Sequence, residues 1–500
     1  MHIKNKRMKT LEEILSLEDV ERKIYYLKKG RKTQLPDRGK LYADWDPNKH
    51  EIFDKEKYPQ IEITIEQEKE EYDEKAGKKV TIPKKTKKVD PNRIALPLEQ
   101  DIVNIQTAFT VGTEPKMDCT PAESEKGIFE ALKQVLKKNK IKYQNRKIVR
   151  AWLSEQECAE YWYVTKDDGF WAKLKAKVAN LFGKSMPQYK LRSVLWSPFR
   201  GDKLYPFFDD SGDMVAFSRE YKKKDLDDHE ITCFMTVTKD MVYQWELDKG
   251  WQLVAAFKHG FKKLPVLYCY RPEAYCEKIK TIRVRLEKLL SSYADCIDYH
   301  FFPILKLFGD VDKMSGEFRN RVVQLTGEGA DAAYLTWNQA SDPVKVEFEN
   351  HFNQAYALTN TPRISFENLK GTGNALSGEA FRYVFMGAHM AVENSAEEIG
   401  PFLQRRINFL ISALGSINTN FEKPSETIDI DVEIQPYIID NLEDKVSVAV
   451  KAVQGQVWSQ KHGVMFAGNL ERLDEELAEI KEEQAARKNE ILKTEHKNAS

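Results

Sequence analysis

The stretch LTNTPRISFENLKGTGNALSGEAF, residues 358–381, lies between two segments of helical periodicity and constrains the fold more than any other feature. Connections in compact domains usually take about 4 to 6 residues, so roughly seventeen polar, Gly-rich residues between helices mark either a functional loop or a disordered one. Thr361 precedes Pro362 and is biased away from helical backbone, which ends the helix before it. Gly371, Gly373 and Gly378 leave the backbone permissive. Ser377 is a good N-cap, and Glu379 falls in the first turn, where it complements the helix dipole. Beyond it, Phe381, Val384, Phe385, Ala388, Val392, Ile399, Leu403, Ile407, Leu410 and Leu414 keep helical spacing. A helix over residues 378–416 is predicted, close to 60 Å long at about 1.5 Å per residue. Gly400 and Pro401 interrupt it, but the apolar stripe resumes in phase, which predicts a kink rather than an end.

The flanking sequence fills in the order of parts. Thr10 and Glu13 form a capping box ahead of Leu11, Ile14, Leu15 and Leu17, predicting an N-terminal helix. Residues 60–89 alternate, turn near Ala76 and Gly77, and change from acidic to basic, as expected of a hairpin with opposite charges across its strands. A mixed α/β region comes next, with hairpins around Asp209 to Asp213 and through VYQWELDKGWQLVAAF. The Asp209 cluster lacks the alternating ligand spacing of a calcium loop, so turn chemistry explains it. Trp162, Trp171, Trp245 and Trp251 are read as core or interface residues. From residue 272 onward the pattern changes: Ile279, Ile282, Leu286, Leu289, Tyr293 and Cys296 make a narrow apolar seam on a helix. A strand in FFPILKLFG, an amphipathic helix over 312–325 and a strand in AAYLTW compose a small α/β insert after it. Asp342 and Pro343 then open a helix to about residue 360. Near the end, IDIDVEIQPYI alternates as a strand, and helices are expected from Val446 to about residue 454 and around Leu470, Leu473, Leu477 and Ile480, before a frayed polar tail.

Composition excludes several classes. The 500 residues are 41% hydrophobic and 31% charged, with 78 basic and 78 acidic side chains, so no overall charge advertises a nucleic-acid affinity binder. A chain through which DNA passes is not excluded. Cys119, Cys158, Cys233, Cys269, Cys276 and Cys296 show no CxxC pair, which argues against a zinc ribbon or disulfide framework. The N-terminal stretch lacks the apolar core of a leader, and no apolar run reaches the roughly 18 residues of a membrane span, so a soluble, intracellular chain is expected. Catalytic signatures fail in detail. NLFGKS has Val178 where a phosphate-binding loop needs its first glycine, and His229-Glu230 is followed by Cys233 instead of a second histidine. No enzyme activity, cofactor or metal is expected.

Taken together, the order of these parts and the stretches NRIALPLEQDIVNIQTAFTVG, KLPVLYCYRP, IKTIRVRLEKLLSSYADCIDYHFFPILKLFG and TNTPRISFENLKGTGNALSGEAFRY resemble the portal proteins of tailed bacteriophages. The resemblance implies an α+β portal fold: a wing at 1–271, stem helices at 272–300 and 342–360, and a clip at 301–341. It further implies a tunnel loop at 361–377, a long kinked helix at 378–416, a returning wing strand at 428–440 and a crown at 441–500. It implies a ring, typically of twelve subunits, at one vertex of a virion capsid assembled in the host cytoplasm, through which double-stranded DNA is packaged and ejected. The implied partners are terminase, capsid or scaffolding protein and head-completion proteins, with no membrane. In the tunnel loop Ser365, Glu367, Asn368, Lys370, Gly371, Thr372, Gly373 and Asn374 would face DNA, Lys370 being the candidate phosphate contact. On the clip, Glu317, Arg319 and Arg321 would meet partners, with Phe301, Phe302, Phe308, Tyr334 and Trp337 packing partly between subunits. The rival classes are a DNA-processing enzyme with an unrecognised site and a channel-less capsid or scaffold component.

Overall fold

Thr10 caps α1 (Leu11–Leu15): its hydroxyl accepts from the Glu13 N–H at 3.3 Å, and the Glu13 carboxylate accepts from the Thr10 N–H at 3.0 Å. The expected capping box is therefore present. Asp19 and Asp37 cap α2 (Val20–Lys29) and α3 (Arg38–Trp45) with their carboxylates. This computed structural model describes residues 10–66, 69–73, 78–82, 84–166, 189–300, 304–314, 323–335, 341–363, 385–437, 442–468, 473 and 476–486. Two compact units are present, Met1–Arg363 with Gly387–Pro436, and Ile364–Met386 with Tyr437–Ser500.

In the first unit, β1 (Ile61–Glu66) pairs with β4 (Lys85–Val89), and β2 (Lys69–Asp73) pairs with β3 (Lys78–Ile82), so the charged hairpin consists of two antiparallel ladders. Register sets Glu62 opposite Lys88, Glu66 opposite Lys85 and Asp73 opposite Lys78, the expected acid-against-base pairing. Then come α4 (Leu98–Val111), β5 (Lys116–Asp118), α5 (Lys126–Lys138) and α6 (Ile141–Glu155). Strands β6 (Glu157–Lys166) and β7 (Tyr189–Trp196) form a sheet with β13 (Val266–Tyr270), in the order β13-β6-β7. Between them in sequence, β8 (Lys203–Phe208), β9 (Met214–Lys224), β10 (Glu230–Thr238), β11 (Met241–Leu247) and β12 (Trp251–Lys258) form a five-stranded meander.

Strand alternation gives the meander two apolar faces. Leu204, Phe217, Met235 and Val237 pack against Trp196 and Val266 of the three-stranded sheet. Their neighbours Tyr205, Ala216 and Phe234 pack with Trp245 against Ile14, Ile24 and Leu27 of α1 and α2. Where α2 ends, a Cβ on Gly30 would lie 1.9 Å from the Phe207 ring, so only glycine fits. Trp162 and Trp245 are core residues as expected; Trp171 lies outside the described residues. Turn chemistry accounts for Asp209, whose carboxylate accepts from the Asp213 N–H at 2.9 Å.

Helix α7 (Lys280–His300) carries the seam, with Ile279, Leu286 and Leu289 buried and Cys296 exposed. The insert after this helix departs from expectation. Strands β14 (Ile304–Met314) and β15 (Val323–Leu335) form one antiparallel ribbon, in register from Ile304 opposite Leu335 to Met314 opposite Val323. The helix expected over 312–325 is absent at both described ends, where 312–314 and 323–325 are strand. A spacing compatible with either period resolved to strand beside β-branched Val323 and Thr326 and the glycines Gly327 and Gly329. Helix α8 (Ser341–Leu358) and the long α9 (Met386–Ile417) come next. The latter passes through Pro401 without ending, as the in-phase stripe predicts. After α10 (Pro424–Thr427), the expected strand shrinks to β16 (Asp431–Glu433), which pairs with β5 and gives way to Pro436.

In the second unit, α11 (Leu442–Gln454) and α12 (Gln460–Ala467) pack as a pair, so closely that a Cβ on Gly463 would lie 2.5 Å from Val453. Trp458 covers this junction, its ring 4.7 Å from His462 and 4.9 Å from Phe466. Helix 476–486 keeps Leu477 and Ile480 half-buried and its other side chains exposed. All described strand pairings are antiparallel, placing the chain in the α+β class. No described helix is long and apolar enough to cross a membrane.

Candidate functional site

The nominated loop residues Ser365, Glu367, Asn368, Lys370, Gly371, Thr372, Gly373 and Asn374 lie outside the described residues, and so do Glu317, Arg319 and Arg321. The described chain supplies the mount of the loop. Helix α8 ends on Asn360 in the left-handed conformation (φ 48), with its N–H donating to Ala357 O at 3.0 Å and the Thr361 N–H donating to Tyr356 O at 2.9 Å. This is the Schellman closure, with asparagine in the position glycine usually takes. Pro362 then prevents the helix from resuming.

Helix α4 locks this terminus from below. The Gln106 amide, buried, donates to Thr361 Oγ1 at 2.8 Å and lies 3.1 Å from Asn360 O and 3.2 Å from Thr359 O. Two amide hydrogens shared among three acceptors hold the turn from one point. The Tyr275 hydroxyl donates to Thr359 O at 2.6 Å, and that of Tyr356 donates to Asp101 Oδ2 at 2.5 Å. Burial and then the Asp101 bond push the Tyr356 phenol well above its ordinary range. Arg363 donates to Glu349 Oε2 and Asn353 Oδ1, each at 3.0 Å, and lies over the Phe352 ring.

On the far side of the loop, α9 returns to the same place: a Cβ on Gly387 would lie 3.8 Å from Asn360 O and 3.9 Å from Asn360 Cα. The segment between Arg363 and Phe385 therefore leaves and re-enters the first unit beside a single turn. Further along α9, buried Arg406 pairs with Glu160 Oε2 at 2.7 Å and donates to Asn145 Oδ1 at 2.5 Å. Pro401 sits on the exposed face one residue before buried Phe402 and Leu403, so the carbonyl it leaves unbonded, on exposed Glu397, faces water.

The seam helix α7 is anchored by a polar network that its apolar spacing did not reveal. Arg283 is 1% exposed and reaches Glu99 Oε1 at 2.5 Å, Asp44 Oδ1 at 3.0 Å and Glu287 Oε2 at 3.6 Å. Glu287 also meets His50 Nδ1 at 2.5 Å and accepts from the Leu96 N–H at 2.9 Å. Burial pushes the Glu99 carboxyl up to about 7, with Arg283 opposing it. The signal was visible as Arg283 and Glu287 at four-residue spacing, but next to Ile282 and Leu286 such a pair reads as a solvated helix face.

No reacting constellation accompanies these anchors among the described residues. All six cysteines are free, and burial pushes the Cys158, Cys269 and Cys276 thiols up, away from reactivity. Asp225, Asp227 and His229 could approach a metal ion, but the Asp225 carboxylate already accepts the Asp227 and His229 N–H groups at 2.9 Å in an exposed turn. The arrangement holds helices and presents a loop. Residues 47–490 match the family described as phage portal protein, SPP1 Gp6-like. The chain belongs to the phage portal protein family. Comparison of this portal-family chain with curated proteins gives no match. Among solved structures, a chain titled "Virion of native gene transfer agent (GTA) particle" is similar at 10% identity and a TM-score of 0.37, covering 75% of this chain and 90% of that one. So distant a likeness carries no further argument.

Proposed function

We propose that this chain is the subunit of a ring at a capsid vertex, through whose bore double-stranded DNA is packaged and later ejected. The family match across residues 47–490 carries the proposal. The mount supports it: a long Gly-rich segment anchored at one buried turn can project as a unit while its ends stay fixed. In this reading 1–271 and 428–440 form the wing, 272–300 and 342–360 the stem, 301–341 the clip, 361–377 the tunnel loop, 378–416 the long helix and 441–500 the crown. Family analogy sets about twelve copies of the loop around the bore, and each copy needs to offer the duplex only a weak contact. Between residues 364 and 374 the charged side chains are Glu367 and Lys370, so the collar is near neutral and DNA slides through it. The clip, around Glu317, Arg319 and Arg321, docks terminase during packaging and head-completion proteins afterwards. The wing meets capsid or scaffolding protein. Electron microscopy of the purified full-length protein, averaged down the particle axis, tests the reading. A closed ring with an open centre is expected; a monomer, or a disc without a bore, overturns it.

A further inference from the structure

The chain is electrically neutral overall, yet residues 137–150, KKNKIKYQNRKIVR, hold seven basic side chains and no acidic one. They span the end of α5 and most of α6, where Lys137, Lys138, Lys140, Lys142 and Lys147 are exposed. Elsewhere on the surface lysines are neutralised by neighbours, as Lys57 is by Glu51, Lys203 by Glu220 and Lys222 by Glu230. Among the described residues, none of these five lysines pairs with a carboxylate.

The turn between the helices borders a cavity of about 450 Å³. Lys138, Lys140 and Arg192 line it together with the neutral polar groups of Asn139, Gln144, Thr165 and Ser193. Among the described residues the Ser193 hydroxyl has no hydrogen-bond partner, and no carboxylate reaches the cavity wall. Cations with hydroxyl and amide donors are the set that binds phosphodiester oxygens. An acidic peptide would need apolar pockets for its anchor side chains, and this wall offers only the half-buried Tyr163 ring.

We propose that this basic face binds the phosphate backbone of duplex DNA, without sequence preference, at a site separate from any channel. The local charge excess gives the affinity and the cavity seats a phosphate group beside Arg192.

The test is binding of the full-length protein to a covalently closed circular duplex, which cannot thread a bore, measured across a salt series. Wild-type protein is expected to bind, with affinity falling steeply as salt rises. The Lys138→Ala/Lys140→Ala/Arg192→Ala variant is expected to bind more weakly, with a log–log salt slope shallower by about 3, close to one per lost phosphate contact. Lys133→Ala, which removes a lysine already paired with Glu130, should leave the slope unchanged. A circular dichroism spectrum matching wild type excludes misfolding of the exposed triple variant. An unchanged slope in that variant overturns the proposal, as does displacement of the circle by polyglutamate at an equal concentration of anionic groups, which would assign the face to an acidic protein. Because a closed circle reports only on outer surfaces, its failure to bind overturns this proposal and leaves the ring reading intact.

Discussion

Two buried side chains carry sharp consequences at the residue scale. Arg283 faces three carboxylates, so Arg283→Met leaves Glu99 and Glu287 buried without their cation. A loss of about 3 to 5 kcal/mol is expected, read as a lower thermal unfolding midpoint, and Glu99→Gln on that background should restore part of it. Glu155 illustrates the opposite balance. It is 7% exposed, and although the Phe199 N–H donates to it at 2.6 Å, burial holds its carboxyl up at about 7 against an ordinary 4.5. Between those values the folded chain keeps a proton that the unfolded chain releases. The stability from this group is full below about pH 4.5 and lost as the pH rises through 7, by about 3 kcal/mol. Glu155→Gln should remove that part of the pH dependence, visible in denaturation midpoints taken from pH 5 to 8.

At the scale of elements, the sequence was most legible where one periodicity ran without competition. The capped α1, the acid-against-base hairpin and the in-phase stripe of α9 all follow from spacing alone. The small elements were not legible, for physical reasons. The ribbon β14–β15 satisfies its backbone by pairing Ile304 with Leu335, a separation that no local window records. Helix α12 centres on Gly463, a residue that reads as a breaker until the close approach of Val453 explains it. The loop mount depends on Gln106, which lies 253 residues before Thr359, so nothing around either residue announces the bond. Pro401 allows a test of helix continuity. It stands on the exposed face, and no atom lies within 4 Å of a Cβ placed on Gly400. Gly400→Ala/Pro401→Ala should therefore restore a backbone hydrogen bond without a clash and raise the unfolding midpoint of the subunit, by about 1 to 3 kcal/mol. A lower midpoint would mean that the proline's local geometry is required by the packing of Phe402 and Leu403.

At the scale of the whole molecule, a portal must hold DNA loosely and its own copies tightly, and these demands fall on different parts of the chain. The loop meets the first with few charges, while the buried network around Arg283 and the Arg406–Glu160 pair keep the supporting helices fixed. Lys370→Glu separates the two demands because it exchanges a cation for an anion in every copy around the bore, leaving the mount at Gln106 and Asn360 untouched. Rings should form as in wild type by mass measurement and electron microscopy. Packaged DNA per particle should fall, because each loop now repels the backbone it formerly touched, and the repulsion should weaken as salt screens it. Normal packaging by rings of the variant would remove Lys370 from the mechanism, whereas failure to form rings would place the loop in subunit contact instead of in the DNA path.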